Sequence, residues 1–334
     1  MKLFSKHERD RLTSPPKWEG GSSVKSDPKN FIIDDDGLEA AINSALILGL
    51  PLLLTGEPGV GKTELAEKIA YQLNMPSPYV FETKSTSEAR DLFYTFDALG
   101  RFNASQTGGG KDAMDFVKWS ALGKAILHSR KREQVEPYYR NHHTESGDVH
   151  TEPHRSVVVI DEIDKAPRDF PNDLLSELGR EIFFRIPEYD NKKIVAENEH
   201  RPIVVITSNS EKNLPHPFLR RCIFYHMQFP EKALNSIVAA RVQELKDSAN
   251  SELVKSAIQL FLDLRKILAH KPTTAQLINW LTLLVEHGAQ PHQKLEQIPE
   301  SVHNTMYALA TSPHDLVKLR GRLNEGYPLK GAPT

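Results

Sequence analysis

The chain has 334 residues, a near balance of charge (42 Lys+Arg against 44 Asp+Glu) and one cysteine. That length allows one large domain plus a smaller one, and the charge balance gives no argument for a nucleic-acid partner. A single cysteine excludes a disulfide framework within the chain. It fits a reducing compartment, and neither the start MKLFSKHERDRL nor any later stretch supplies a signal core or a bilayer span, so a cytoplasmic protein is expected.

In chain order, residues 1–30 are rich in Ser, Pro, Gly and Lys and read as a polar leader. Leu38, Ala41, Ile42, Ala45 and Leu46 share one face of a helix predicted over 37–48. Strands are predicted at 51–55, 79–83, 156–161, 202–207 and 222–228, alternating at first with helical segments. That alternation implies a parallel sheet covered on both faces. From 231 onward the apolar period is helical only, over 231–247, 251–269, 273–287, 299–310 and 313–324. The change near residue 230 marks a domain boundary, giving a leader (1–30), an α/β core (31–230) and a smaller all-helical domain (231–334).

Chemistry concentrates in two places. The residues Gly56, Glu57, Pro58, Gly59, Val60, Gly61, Lys62 and Thr63 follow an apolar strand and, with Glu64, open a helix. A glycine turn in that position aims backbone N–H groups and the positive end of a helix dipole at a polyphosphate. Lys62 can reach the outer phosphates, and the Thr63 hydroxyl can ligate Mg²⁺. The second place is the end of the β-branched run 156–160. Asp161 at that strand end can hold Mg²⁺ through water, and Glu162 can take a proton from the water attacking the γ-phosphate.

GEPGVGKT, VVVIDEIDKAPRDFPNDLL, VVITSNSEKNLP and FLRRC, in this order, resemble the AAA+ ATPases, and within them the MoxR, or dynein-related, branch, over about residues 31–290. The resemblance implies a five-stranded αβα P-loop domain with a helical lid, and ATP with Mg²⁺ as ligands. It further implies a homo-oligomeric ring, usually a hexamer, and remodelling of a protein partner that often carries a von Willebrand A domain. Asn209 then corresponds to the sensor-1 amide, which contacts the γ-phosphate or the attacking water. Arg220 and Arg221 fall in the arginine-finger region, with Arg220 the first choice. The sensor-2 arginine is missing: Ala275 stands at its place, and Lys271, followed by proline, precedes the helix rather than lying on it.

Three further segments have two readings each. Phe93, Tyr94 and Phe96 lie where the MoxR branch resembles helix-2-insert ATPases and either grip a partner or, with Leu92, anchor the loop. Residues 181–195 have period-two character and suggest a β-hairpin projecting from the core. His128, His142, His143, His150 and His154 come without cysteine or a helical i, i+4 pair and read as a solvated insertion rather than a metal site. Cys222, placed in a predicted buried strand, reads as inert. The competing functions are a nucleic-acid motor or loader, a restriction-type GTPase of the McrB kind, and a nucleotide-dependent scaffold. Against these stand, in turn, the lack of a basic module, the lack of a guanine-associated motif around Thr207–Ser208–Asn209–Ser210, and the presence of Glu162.

Overall fold

A computed structural model describes residues 27–33, 35–106, 112–139, 150–209, 214–248 and 250–324. Most of the expected leader, His142, His143 and Ser210 lie outside these residues. Contacts divide the chain into two units, one covering Asp35–Phe229 and the other formed by Pro230 onward with the segment before Asp35. Residues 31–33 therefore belong with the helical unit and not with the core.

The larger unit holds strands β1 (Leu52–Gly56), β2 (Tyr79–Glu82), β3 (Tyr94–Phe96), β4 (Val117–Trp119), β5 (Val157–Asp161), β6 (Phe183–Ile186), β7 (Lys192–Val195), β8 (Ile203–Ser208) and β9 (Ile223–Met227). Five of them form one parallel sheet in the order β2-β5-β8-β1-β9. Its three inner strands are the apolar runs, and Leu53, Leu54, Val158, Ile160, Val205 and Ile206 are essentially inaccessible to water. Such runs belong between two layers of helices. The two edge strands alternate in burial, as strands with one wetter face do.

Edge character corrects one expectation. β9 is not buried throughout, and Cys222 lies one residue before it, half-buried. Burial still pushes its thiol up to about 12, and Sγ rests 3.5 Å from the Phe218 carbonyl, so the inert reading stands.

The segment between β2 and β5 is built as an insert. β3 and β4 pair antiparallel around a helix, Ala98–Gln106, and a further helix, Ala121–His128, packs on β2 and β5. The second helix approaches so closely that a Cβ on Gly123 would lie 1.9 Å from the Phe93 carbonyl oxygen, so only glycine fits there. Phe93 and Tyr94 are buried, and with Trp119 and Phe184 they form an aromatic cluster with centroid spacings of 5.4–6.2 Å. Two of the three aromatics proposed to grip a partner are thus anchors, and among the described residues the exposed large apolar side chains of the insert are Leu99 and Phe102. The hairpin β6–β7 forms as the alternation predicts, but it does not project: Phe184, Ile186 and Ile194 join the main core.

The smaller unit is helical. The expected helix over 231–247 is shorter, Leu234–Arg241, and gives way to a 3₁₀ turn at Gln243–Ser248. Glu252–Ile267 is capped by Ser251, and Thr274–Glu286 by a reciprocal pair, Thr273 with Gln276. Pro299–Thr305 and Pro313–Asn324 complete the set. Trp280 fills the core and donates its indole N–H to Thr305 at 3.0 Å.

A buried carboxylate organises the end of this unit. Asp315 accepts from the His270 ring at 2.8 Å, the Ala269 amide at 2.8 Å, the Ser312 hydroxyl at 2.8 Å and the His270 amide at 3.3 Å. The His270 bond first, then the two amides and Ser312, outweigh the cost of burial and hold the carboxyl well below the usual carboxylate range. A carboxyl depressed in the folded state stabilises it fully above its unfolded pKa of about 4 and loses that contribution as pH falls through the folded value. Asp315→Asn should therefore lower the melting temperature at pH 7, with the gap to wild type closing below about pH 4. A gap independent of pH in calorimetry would show that shape, not charge, matters at this position.

Candidate nucleotide site

Parallel pairing brings the carboxyl ends of the five strands to one edge of the sheet. There Glu82 pairs with Asp161, Thr55 with Ser208, and Gly56 with Met227. In doubly wound sheets a ligand crevice forms along this edge. β1 runs through Gly56 into the turn, and the helix Lys62–Gln72 starts behind it with Gly61 at its N-cap.

The glycines are there for backbone reasons. Gly59 and Gly61 have φ of 77° and 92°, in the left-handed region. Gly56, at φ 147°, passes so close to β9 that a Cβ would stand 2.5 Å from the Met227 carbonyl oxygen. Having no side chain, Gly61 cannot cap the first turn, and the helix presents its amides and dipole to the loop. Glu57, Pro58 and Val60 complete the turn, and Glu64 lies in the first turn of the helix.

Lys62 is only 7% exposed. Its ammonium donates to the carbonyls of Gly56 at 2.9 Å and Glu57 at 3.0 Å and to Asn209 Oδ1 at 2.7 Å. Burial lowers its pKa, and Asp164, Asp161 and Glu162 act in the opposite direction. Asn209 then passes the contact on, because its amide nitrogen donates to Glu162 Oε1 at 2.9 Å. Chemistry decides the orientation of that amide: an ammonium only donates and a carboxylate only accepts.

Asp161, at the end of β5, collects two hydroxyls on one oxygen: Thr63, at 2.9 Å, and Thr207. Thr207 Oγ1 also accepts from the Glu162 amide at 2.8 Å, so one threonine fixes two acids. Glu162 has φ 52° and ψ 53°, a left-handed conformation that costs a non-glycine residue about 1–2 kcal/mol. That turn swings its carboxylate off the strand, where Lys165 pairs with it. A strained residue so firmly held is a mark of a working position.

The structure thus brings together Lys62, Thr63, Asp161, Glu162 and Asn209, all five read from the sequence. It adds two that the sequence reading passed over. Asp164 is 2% exposed, accepts from the Asn209 amide at 3.2 Å and is the first of the three acids acting on Lys62. Thr207 is fully buried. The signals were the second aspartate of DEID, one 3₁₀ turn after Asp161, and a hydroxyl closing an apolar strand.

Arg220 and Arg221 lie elsewhere. They precede β9, whose first residue pairs with Leu52, whereas its last pairs with Gly56 at the glycine loop. The five-residue strand Ile223–Met227 separates them from the loop, about 13 Å from its first residue to its last at 3.3 Å per residue. The two arginines sit at the opposite edge of the sheet from their own loop. Arg221 donates to the Leu175 carbonyl, and Arg220 is exposed with no side-chain hydrogen bond among the described residues. Lys271 is exposed and precedes the cap of its helix, and Ala275 is the second residue of that helix.

Residues 51–222, just over half of the chain, match the family model for the AAA domain of the dynein-related subfamily. The chain belongs to this family. An AAA domain binds and hydrolyses nucleotide, and the matched span runs from the first sheet strand to the arginine pair. Comparison with curated proteins finds no match. Among the described residues no helix is long and apolar enough to cross a membrane.

The donor set fits the metal that accompanies nucleotides: Thr63 and Asp161 offer hard oxygen ligands 2.9 Å apart, beside an ammonium and away from thiolate or imidazole. Lys62→Ala should abolish nucleoside-triphosphate binding in isothermal titration, since it removes the point charge aimed at the outer phosphates. Undiminished affinity would mean that the loop does not hold the phosphates.

Proposed function

We propose that the chain is an ATP-hydrolysing, MoxR-like AAA+ protein of the cytoplasm. In this reading it works as a homo-oligomeric ring, a hexamer, and spends turnover on remodelling a protein partner, one with a von Willebrand A domain being the expected kind. One observation carries the hydrolytic part: Asn209 bridges Lys62 at 2.7 Å and Glu162 at 2.9 Å. It links the phosphate-sensing charge to the base.

The residues divide the work. Amides of the turn and of the first turn of Lys62–Gln72 bind phosphate oxygens, and Lys62 exchanges its carbonyl and Asn209 contacts for the β- and γ-phosphates. Mg²⁺, when bound, neutralises charge on the same phosphates, and Thr63 with Asp161 would hold it. Release of Oδ1 by Lys62 frees Asn209 to orient water, and with it one oxygen of Glu162, which takes the proton as the water attacks the γ-phosphate. Asp164 and Thr207 keep Asn209 and the acid pair in place.

Assembly and partner rest on different features. The placing of the arginines and the loop at opposite ends of β9 supports completion of each site by a neighbouring subunit. So does a cleft of about 990 Å³ beside Arg221, lined also by Arg180, Arg201 and the exposed Ile47 and Leu48. Leu99 and Phe102, 71% and 60% exposed on the insert helix, supply an apolar grip for a protein client.

Two experiments test this reading. Glu162→Gln preserves size and backbone preference but removes the base, so ATP should bind as before while turnover drops about 100-fold or more. Wild-type kcat in that variant would place water activation elsewhere. Arg220→Ala or Arg221→Ala should retain ATP binding and lose about 10³ in kcat. Mixing the inactive arginine variant with Lys62→Ala should restore activity, because some sites then combine an intact loop with an intact arginine. No recovery despite proven co-assembly, or full activity in a strict monomer by light scattering, would defeat the shared site.

A further inference from the structure

Three of the histidines read as a solvated insertion are withdrawn from solvent in whole or in part. His128 closes the helix Ala121–His128 and is 1% exposed; His150, just before β5, is 5% exposed. Together with half-buried His154 they form the one group of three metal-type ligands among the described residues, with ligand atoms all within 4.8 Å of one another. The rings of His128 and His150 stack at 4.9 Å and 11°, and His154 lies 5.1 Å from His128. A backbone bond of 2.9 Å from the His154 amide to the His128 carbonyl joins the two segments directly.

Each ring already has one nitrogen against an oxygen. His150 Nε2 meets the Arg130 carbonyl at 2.7 Å, and His154 Nδ1 meets the Glu152 carbonyl at 3.0 Å. A carbonyl only accepts, so these nitrogens carry the protons, and in the neutral ring the lone pairs are on His150 Nδ1 and His154 Nε2. His128 Nδ1 lies 2.8 Å from the Tyr79 hydroxyl, an oxygen able to accept its proton and so leave the lone pair on Nε2. Ring N–H groups tied to oxygen acceptors are what orient and strengthen metal-bound imidazoles.

We propose that His128, His150 and His154 form a zinc site, with water or an anion as the fourth ligand. Three imidazoles without thiolate or carboxylate suit Zn²⁺ and its neighbours in the first transition row. Zn–N bonds of about 2.0–2.1 Å set tetrahedral nitrogens about 3.4 Å apart, which small ring rotations reach from the observed cluster. The site lies at the amino end of β2 and β5, where Tyr79 pairs with Val158, across the sheet from the nucleotide loop. It therefore acts as a clamp, fastening the helix after the insert to the strand that ends in Asp161.

The test uses the full chain, stripped of metal and titrated with Zn²⁺ or Co²⁺. Expected are one Zn²⁺ per chain, four-coordinate Co²⁺ bands in the visible spectrum, and a melting temperature raised on the order of 5 °C at a hundredfold excess over Kd. His154→Gln should weaken Zn²⁺ binding by about 100-fold or more, since loss of only the group that hydrogen-bonds a metal-bound imidazole costs about 10–100-fold. His292→Gln, at an exposed histidine of the helical unit, should change nothing. Absent cobalt bands in wild type, or His154→Gln binding Zn²⁺ as tightly as wild type, would overturn the proposal. Should circular dichroism show that His154→Gln does not fold, the wild-type cobalt spectrum decides.

Discussion

A buried ammonium governs this molecule. Lys62 loses its hydration on folding, and an isolated charge in that position would cost far more than the domain's net stability. The fold compensates with two carbonyls, the Asn209 oxygen and three nearby acids. Carbonyls turn inward only if the loop reverses on itself, which requires the left-handed glycines and the close pass of Gly56 over β9. The acids, in turn, require β5 and β8 to end beside β1. Phosphate oxygens can then replace the same acceptors, so one arrangement both stabilises the resting loop and prepares it for ligand.

The parallel sheet also separates functions by polarity. The five residues gathered at the glycine loop sit at the carboxyl edge, whereas Arg220, Arg221 and the cleft beside them sit at the amino edge. A single copy cannot bring the two edges together, and subunits packed edge to edge can. The insert and the β6–β7 hairpin share one aromatic cluster in the same core.

Residue pattern alone determined the α/β core, the five sheet strands to within a residue or so, the helical character after Pro230, and Lys62, Thr63, Asp161 and Glu162 around the loop, to which the family resemblance added Asn209. These are legible because apolar runs, glycine turns and strand-end acids are local in sequence. Burial of Phe93, the packing of the hairpin, Asp164 as a partner of Lys62, and the meeting of His128 with His150 and His154 depend on contacts between residues far apart in the chain. Periodicity over a few residues carries no information about such contacts. The tertiary structure decided them, because the sheet order places β5 beside β2 and β8 and so brings separated turns to one end.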